Sequence, residues 1–92
     1  MRDIVQEGNG FYIREDGAPI AEITYAQPGE NTLVIDHTYV AESLRGQGIA
    51  EQLVQRVVSY ARENGKKIIP ACSYAHASFR RHKEYHDVWQ QE

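Results

Sequence analysis

The chain has 92 residues, enough for one domain with a single small core and too few for two. Its charged fraction of 25% and net charge of −3 are ordinary for a folded protein and give no overall basic field to recruit nucleic acid. One cysteine excludes an internal disulfide framework, and no apolar run is long enough for a membrane span or a signal peptide, so the expectation is a cytoplasmic protein, a monomer or weak dimer, with Cys72 reduced.

Residues 1–10 are polar apart from Ile4-Val5 and read as a loosely held start. Residues 11–15 and 18–26 are strand-like on either side of Asp16-Gly17, a hairpin turn signal. In the second of these strands Ala21, Ile23 and Tyr25 share one face, with Ile20 and Glu22 on the other. Gln27-Pro28-Gly29-Glu30-Asn31 makes the next turn, and a third strand over about 32–40 completes an antiparallel meander. Strict alternation along it puts Leu33, Ile35, His37 and Tyr39 on one side and Val34, Asp36, Thr38 and Val40 on the other.

A turn, Ser43-Leu44-Arg45-Gly46-Gln47-Gly48-Ile49-Ala50, then leads into an amphipathic helix over about 48–64. Ala50, Leu53, Val54, Val57, Val58 and Ala61 recur at three- and four-residue steps, and Gly65 stands where a helix C-cap is wanted. The first turn of a helix has N–H groups without intrahelical partners; the two preceding glycines let a bulky anion approach them, and the helix dipole and Arg45 add positive charge. The favoured ligand is a phosphate or pyrophosphate. The turn is not a P-loop, because Ile49 and Ala50 stand where lysine and a hydroxyl are required. It is not a dinucleotide fingerprint either, since Glu51 occupies the third small position, where a carboxylate spoils close helix packing.

Residues 66–72 read as a short strand reached by a crossover, hence parallel to 32–40, and Pro70 should end its pairing and open one side of it. Residues 74–82 are helical by composition, and 83–92 carry Tyr85, Val88 and Trp89 as a further helical turn docking on the core. The fold class is thus α/β: an antiparallel meander, a central helix, a parallel strand, and one or two C-terminal helices.

Arg45-Gly46-Gln47-Gly48-Ile49-Ala50 matches the Arg/Gln-x-x-Gly-x-Gly/Ala signature of the GCN5-related N-acetyltransferases, and with Ile35-Asp36-His37-Thr38-Tyr39-Val40 and Phe79-Arg80-Arg81-His82 the chain resembles the short, single-domain branch of that superfamily. The resemblance implies an acetyl-CoA-dependent N-acetyltransferase of one domain, 1–92. It places the coenzyme A pyrophosphate on Arg45 and the amides of Gly46, Gln47, Gly48, Ile49 and Ala50, and the pantetheine arm along the strand that ends Thr38, Tyr39, Val40. The acyl arm enters where the strands before and after the central helix splay. Many relatives carry a tyrosine acid on the next helix; the matching position here is Phe79, which is left a coenzyme contact only, with Tyr74 as the replacement donor.

Cys72 ends the second strand beside the expected acetyl carbon, as a nucleophile or as a small core thiol. His37 is a proton relay or a structural histidine, and Glu22 and Asp36 are weaker bases acting through water. The family's first strand and two helices, much of its acceptor wall, have no counterpart here, so the amine acceptor, a small molecule or a protein amino group, is left unnamed. Two alternatives stand beside the enzyme: a non-catalytic coenzyme A or acyl-CoA binding module, and a zinc-stabilised interaction domain built on Cys72, His76, His82 and His86. No resident metal, nucleic acid or membrane is expected.

Overall fold

A computed structural model describes residues 3–91. Five strands form one mixed sheet in sequence order: β1 (Val5–Glu7), β2 (Gly10–Glu15), β3 (Ala18–Ala26), β4 (Thr32–Val40) and β5 (Lys67–Pro70). All neighbours are antiparallel except β4 and β5, which are parallel and joined by helix α1 (Ile49–Glu63). Helix α2 (Ser73–Arg81) follows, then a 3₁₀ turn at Lys83–Tyr85. The hairpin turns at Asp16 and Gly17, with φ of 53° and 82°, a left-handed pair that aspartate and glycine tolerate.

Both helices lie on one face of the sheet. Leu53, Val54, Val57, Val58 and Ala61 of α1 and Ala75 and Phe79 of α2 share one core cluster with Phe11, Ile13, Ala21, Ile23, Leu33, Ile35 and Ile68. The other face carries partly exposed side chains such as Tyr12, Ile20, Glu22, Thr24 and Val34.

Three expectations need correction. The start of the chain is not loose from Val5 onward: Val5–Glu7 pairs with β2 as an edge strand, while Met1 and Arg2 lie outside the described residues. Residues 83–91 are helical only through the 3₁₀ turn at Lys83–Tyr85, although Tyr85 and Val88 do dock in the core as expected. After the 3₁₀ turn the chain runs beside β5, where Ile68 N–H donates to Val88 C=O (2.6 Å) and Gln90 N–H to Ile68 C=O (2.8 Å). This covers the outer edge of β5, a backbone need that side-chain composition does not advertise.

The third correction bears on the site. β4 does not alternate strictly, because the register shifts between Thr24↔His37 and Tyr25↔Ile35, leaving Asp36 as an extra residue in a β-bulge. Before the bulge Leu33 and Ile35 face the helices. After it Thr38 and Val40 do, being paired with Ile23 and Ala21, while His37 and Tyr39 pair with Thr24 and Glu22 on the opposite face. The Thr24 hydroxyl donates to Asp36 Oδ1 at 2.7 Å, holding the bulge from its exposed side.

Candidate active site

The bulge and Pro70 act together on the backbone. Pairing of β4 with β5 ends at Ile35↔Pro70, and Ala71 and Cys72 N–H groups both donate to Ile35 C=O (2.9 and 3.0 Å) before the strands part. Ala41 N–H donates to Ile20 C=O at 2.8 Å. Peptide groups alternate in direction along a strand, so His37 and Tyr39 also turn theirs toward β3, and those of Thr38 and Val40 face the side β5 has left. Val40 C=O there accepts from Arg45 Nε at 3.2 Å. Two strands that separate with one edge unpaired leave room for an extended chain to add as a strand.

That edge leads straight to the start of α1. Gly46 and Gly48 have φ of 84° and 75°, values that a side chain makes costly, and the α1 N-cap at Gly48 makes no side-chain cap bond. The first intrahelical bond at this end is Gln52 N–H to Gly48 C=O (3.1 Å), which leaves the amides of Ile49, Ala50 and Glu51 without α-helical partners. Gly46, Gly48 and Ile49 line a cleft of about 200 Å³ with Val40, Arg45, Ala50 and Tyr74. It adjoins a wider one of about 340 Å³ lined by Thr38, Tyr39, Val40, Arg45, Ala50 and Tyr74. Gln47 is exposed at the tip of the turn.

Cys72 stands at the other lip of the gap. Its Sγ is the N-cap of α2, accepting from Ala75 N–H at 3.4 Å, and lies 3.4 Å from the Thr38 hydroxyl that borders the wider cleft. His37 is separated from this group by the bulge; its Nε2 lies 3.5 Å from Glu22 Oε2 on the opposite face of the sheet. Phe79 offers the clefts no surface, being fully buried against Tyr85 and Trp89.

Glu51, read from sequence only as a misfit, organises the helix pair. Its carboxylate accepts from the hydroxyls of Tyr85 (2.5 Å), Ser78 (2.8 and 2.9 Å) and Tyr74 (3.3 Å). Burial penalises its ionised form, but the hydrogen bonds from Tyr85 and Ser78 and the nearby His82 outweigh this and hold the carboxyl below its ordinary pKa. Burial, then the same carboxylate, raises the pKa of Tyr74 and Tyr85, so both remain proton-bearing phenols. Tyr74 therefore remains a phenol at the cleft, its one O–H resting on Glu51 Oε1 through a long bond that a stronger acceptor in the cleft can draw away. Ser78, small and hydroxylated, is what admits the carboxylate between the helices; the serine four residues after a cleft tyrosine was the available signal.

The four zinc candidates are not gathered. His76 lies edge-on to Trp89, and His86 Nε2 is 3.0 Å from Phe79 C=O. Among the described residues no group of three or more His, Cys, Asp or Glu side chains is placed to hold a metal, and no helix is long and apolar enough to cross a membrane.

A mixed sheet splayed at a bulged strand, opening onto an uncapped helix start behind a Gly-x-Gly turn, defines a small α/β domain with room for an extended ligand along that edge. The sequence model described as GCN5-related N-acetyl-transferase matches residues 10–88, and the chain belongs to that family. It is 41% identical to a GCN5-like protein of Staphylococcus aureus solved by NMR, with a TM-score of 0.82 over 98% of this chain and 89% of that one. It is 36% identical over 64 residues to rat N-acetyltransferase 8B; the match takes in 63% of this chain and only 29% of that protein. A GNAT-family acetyltransferase of Elizabethkingia anophelis, solved with acetyl-CoA bound, shares the fold at 21% identity, with a TM-score of 0.57 over 78% of this chain and 50% of that one.

Proposed function

We propose that this chain is, as one domain, an acetyl-CoA-dependent N-acetyltransferase. The observation that carries the reading is the continuity of the unpaired β4 edge with the uncapped start of α1. The backbone of Thr38 and Val40 pairs with the pantetheine arm, and Arg45 with the amides of residues 46–50 receives the pyrophosphate. The acyl end then lies in the gap beside Cys72. The acceptor nitrogen forms its bond to the carbonyl carbon as the C–S bond breaks; Tyr74 supplies a proton to the departing sulfur, and the amine gives up its own to water. His37, across the sheet from the cleft and beside Glu22, acts through the acceptor side, where the open face admits an amine from a small molecule or a protein.

The Sγ contact with Thr38 favours a second route, in which Cys72 takes the acetyl group first and passes it to the amine. Mass spectrometry after mixing with acetyl-CoA alone separates the two: direct transfer leaves the protein mass unchanged, and the cysteine route adds one acetyl group that Cys72→Ser abolishes. The reading as a whole is tested by calorimetry with acetyl-CoA, free CoA and ATP, followed by thiol release in the presence of a polyamine and an aminated peptide. Binding of both coenzymes but not ATP, with amine-dependent thiol release, is expected. Binding without release from any amine would make the chain a coenzyme A binding module, and no binding at millimolar coenzyme would overturn both.

A further inference from the structure

We infer that Arg80 and Arg81 form a second anion subsite, which takes the 3′-phosphate on the ribose of coenzyme A. The inference rests on the coenzyme reading above. Coenzyme A carries roughly four negative charges, divided between its diphosphate and its 3′-phosphate. A chain of net charge −3 must meet them with local cations. The uncapped start of α1 and Arg45 serve one phosphate group, and Arg45 already spends its Nε on Val40 C=O.

Helix α2 supplies the rest in the right order. Tyr74, Ala77 and Arg81 stand three and seven residues apart on one stripe of the helix, and Tyr74 lines the cleft at the gap. Arg81 is therefore roughly 10 Å further along the helix, away from the acyl end. There Ala77, Arg80 and Arg81 line an open groove of about 340 Å³. In the coenzyme the order is the same: thioester, pantetheine, diphosphate, then the phosphorylated ribose.

The Arg80 donors are unspent, and Arg81, beside Glu51 and Tyr74, keeps donors to offer. Arg81 Nη2 stands 3.7 Å from Glu51 Oε1, too far for a hydrogen bond, because that carboxylate is already engaged by the Ser78, Tyr85 and Tyr74 hydroxyls. Arg80 is exposed and makes no hydrogen bond or ion pair among the described residues. Two adjacent guanidiniums, each able to present a planar fork of N–H groups, suit a phosphate monoester with three free oxygens.

The test is a cycle over ligand and protein: dissociation constants of acetyl-CoA and of 3′-dephospho-acetyl-CoA for wild type, Arg80→Gln/Arg81→Gln, and Lys83→Gln as a neighbouring-charge control. Arg80→Gln alone, which removes no partner, guards against misfolding of the double variant. Wild type should bind the dephospho ligand about tenfold more weakly, and the double variant should lose about tenfold for acetyl-CoA while binding the dephospho ligand as wild type does. Arg80→Gln should give part of that selective loss, and Lys83→Gln should weaken both ligands slightly and equally. Equal binding of both ligands by wild type, or equal losses for both in the double variant, would overturn the subsite while leaving the coenzyme reading intact. If wild type bound neither, the coenzyme reading itself would fall and the subsite with it.

Discussion

Two helices begin at the same end of this sheet, in opposite ways. At α1 the N-cap is a left-handed glycine with no side chain to offer, and the first amides open into a cleft. At α2 the N-cap is Cys72, whose sulfur accepts from Ala75 N–H. A glycine N-cap costs a helix only a few tenths of a kcal/mol relative to a polar one, so the start of α1 stays stable while its first amides remain open to a partner. The start of α2 is satisfied from within and stands beside Thr38. On the proposed reading, one start holds the ligand and the other borders its chemistry.

The largest expected effect breaks the first start. Gly48→Val puts a β-branched side chain at φ of 75°, and although a Cβ there meets nothing within 4 Å, the backbone must rearrange. Calorimetry should show acetyl-CoA binding weakened about 100-fold, with roughly 1–2 kcal/mol lost in urea unfolding. Glu51→Ala acts on the bond between the two starts. Removing the acceptor of the Ser78 and Tyr85 hydroxyls should cost about 2–4 kcal/mol in the same unfolding experiment.

The carboxyl of Glu51 also gives a pH signature. Its folded pKa is below the ordinary value of 4.5, so its stabilisation is complete above that value and is lost as pH falls through the folded pKa. Wild type should therefore lose stability more steeply than Glu51→Gln as pH falls below 4.5, a difference readable from melting temperatures across acid buffers. Cys72 sharpens the contrast at smaller scale. Cys72→Ala removes the α2 cap and should cost about 1 kcal/mol, whereas Cys72→Ser, with a better capping oxygen, should unfold within about 0.5 kcal/mol of wild type. The smallest change is Tyr74→Phe: losing one long hydrogen bond should cost about 0.5 kcal/mol or less of stability, while turnover falls about tenfold at unchanged acetyl-CoA affinity.

The first start was legible in the sequence and the second only partly, for physical reasons. Two glycines before a clean 3.6-residue pattern leave few other structures open, and Asp16-Gly17, Pro70 and the crossover set the sheet order in the same local way. The bulge at Asp36 has no such marker. Nothing in Val34-Ile35-Asp36-His37-Thr38 distinguishes an extra residue from an ordinary strand, yet it turns Thr38 toward the helices and His37 away. The Glu51 cluster joins residues up to 34 positions apart, a reach that periodicity cannot see. β1 was missed because three exposed residues bury nothing that would announce a strand.

The most direct test of the account is an NMR titration of the labelled protein with acetyl-CoA. The account predicts saturable shifts concentrated in the amides of residues 46–51, with further changes at 38–40 and 72–74, and little movement in β1 and β2. Saturating acetyl-CoA that leaves the amides of 46–51 unmoved, or moves only residues on the face of Glu22 and His37, would contradict it.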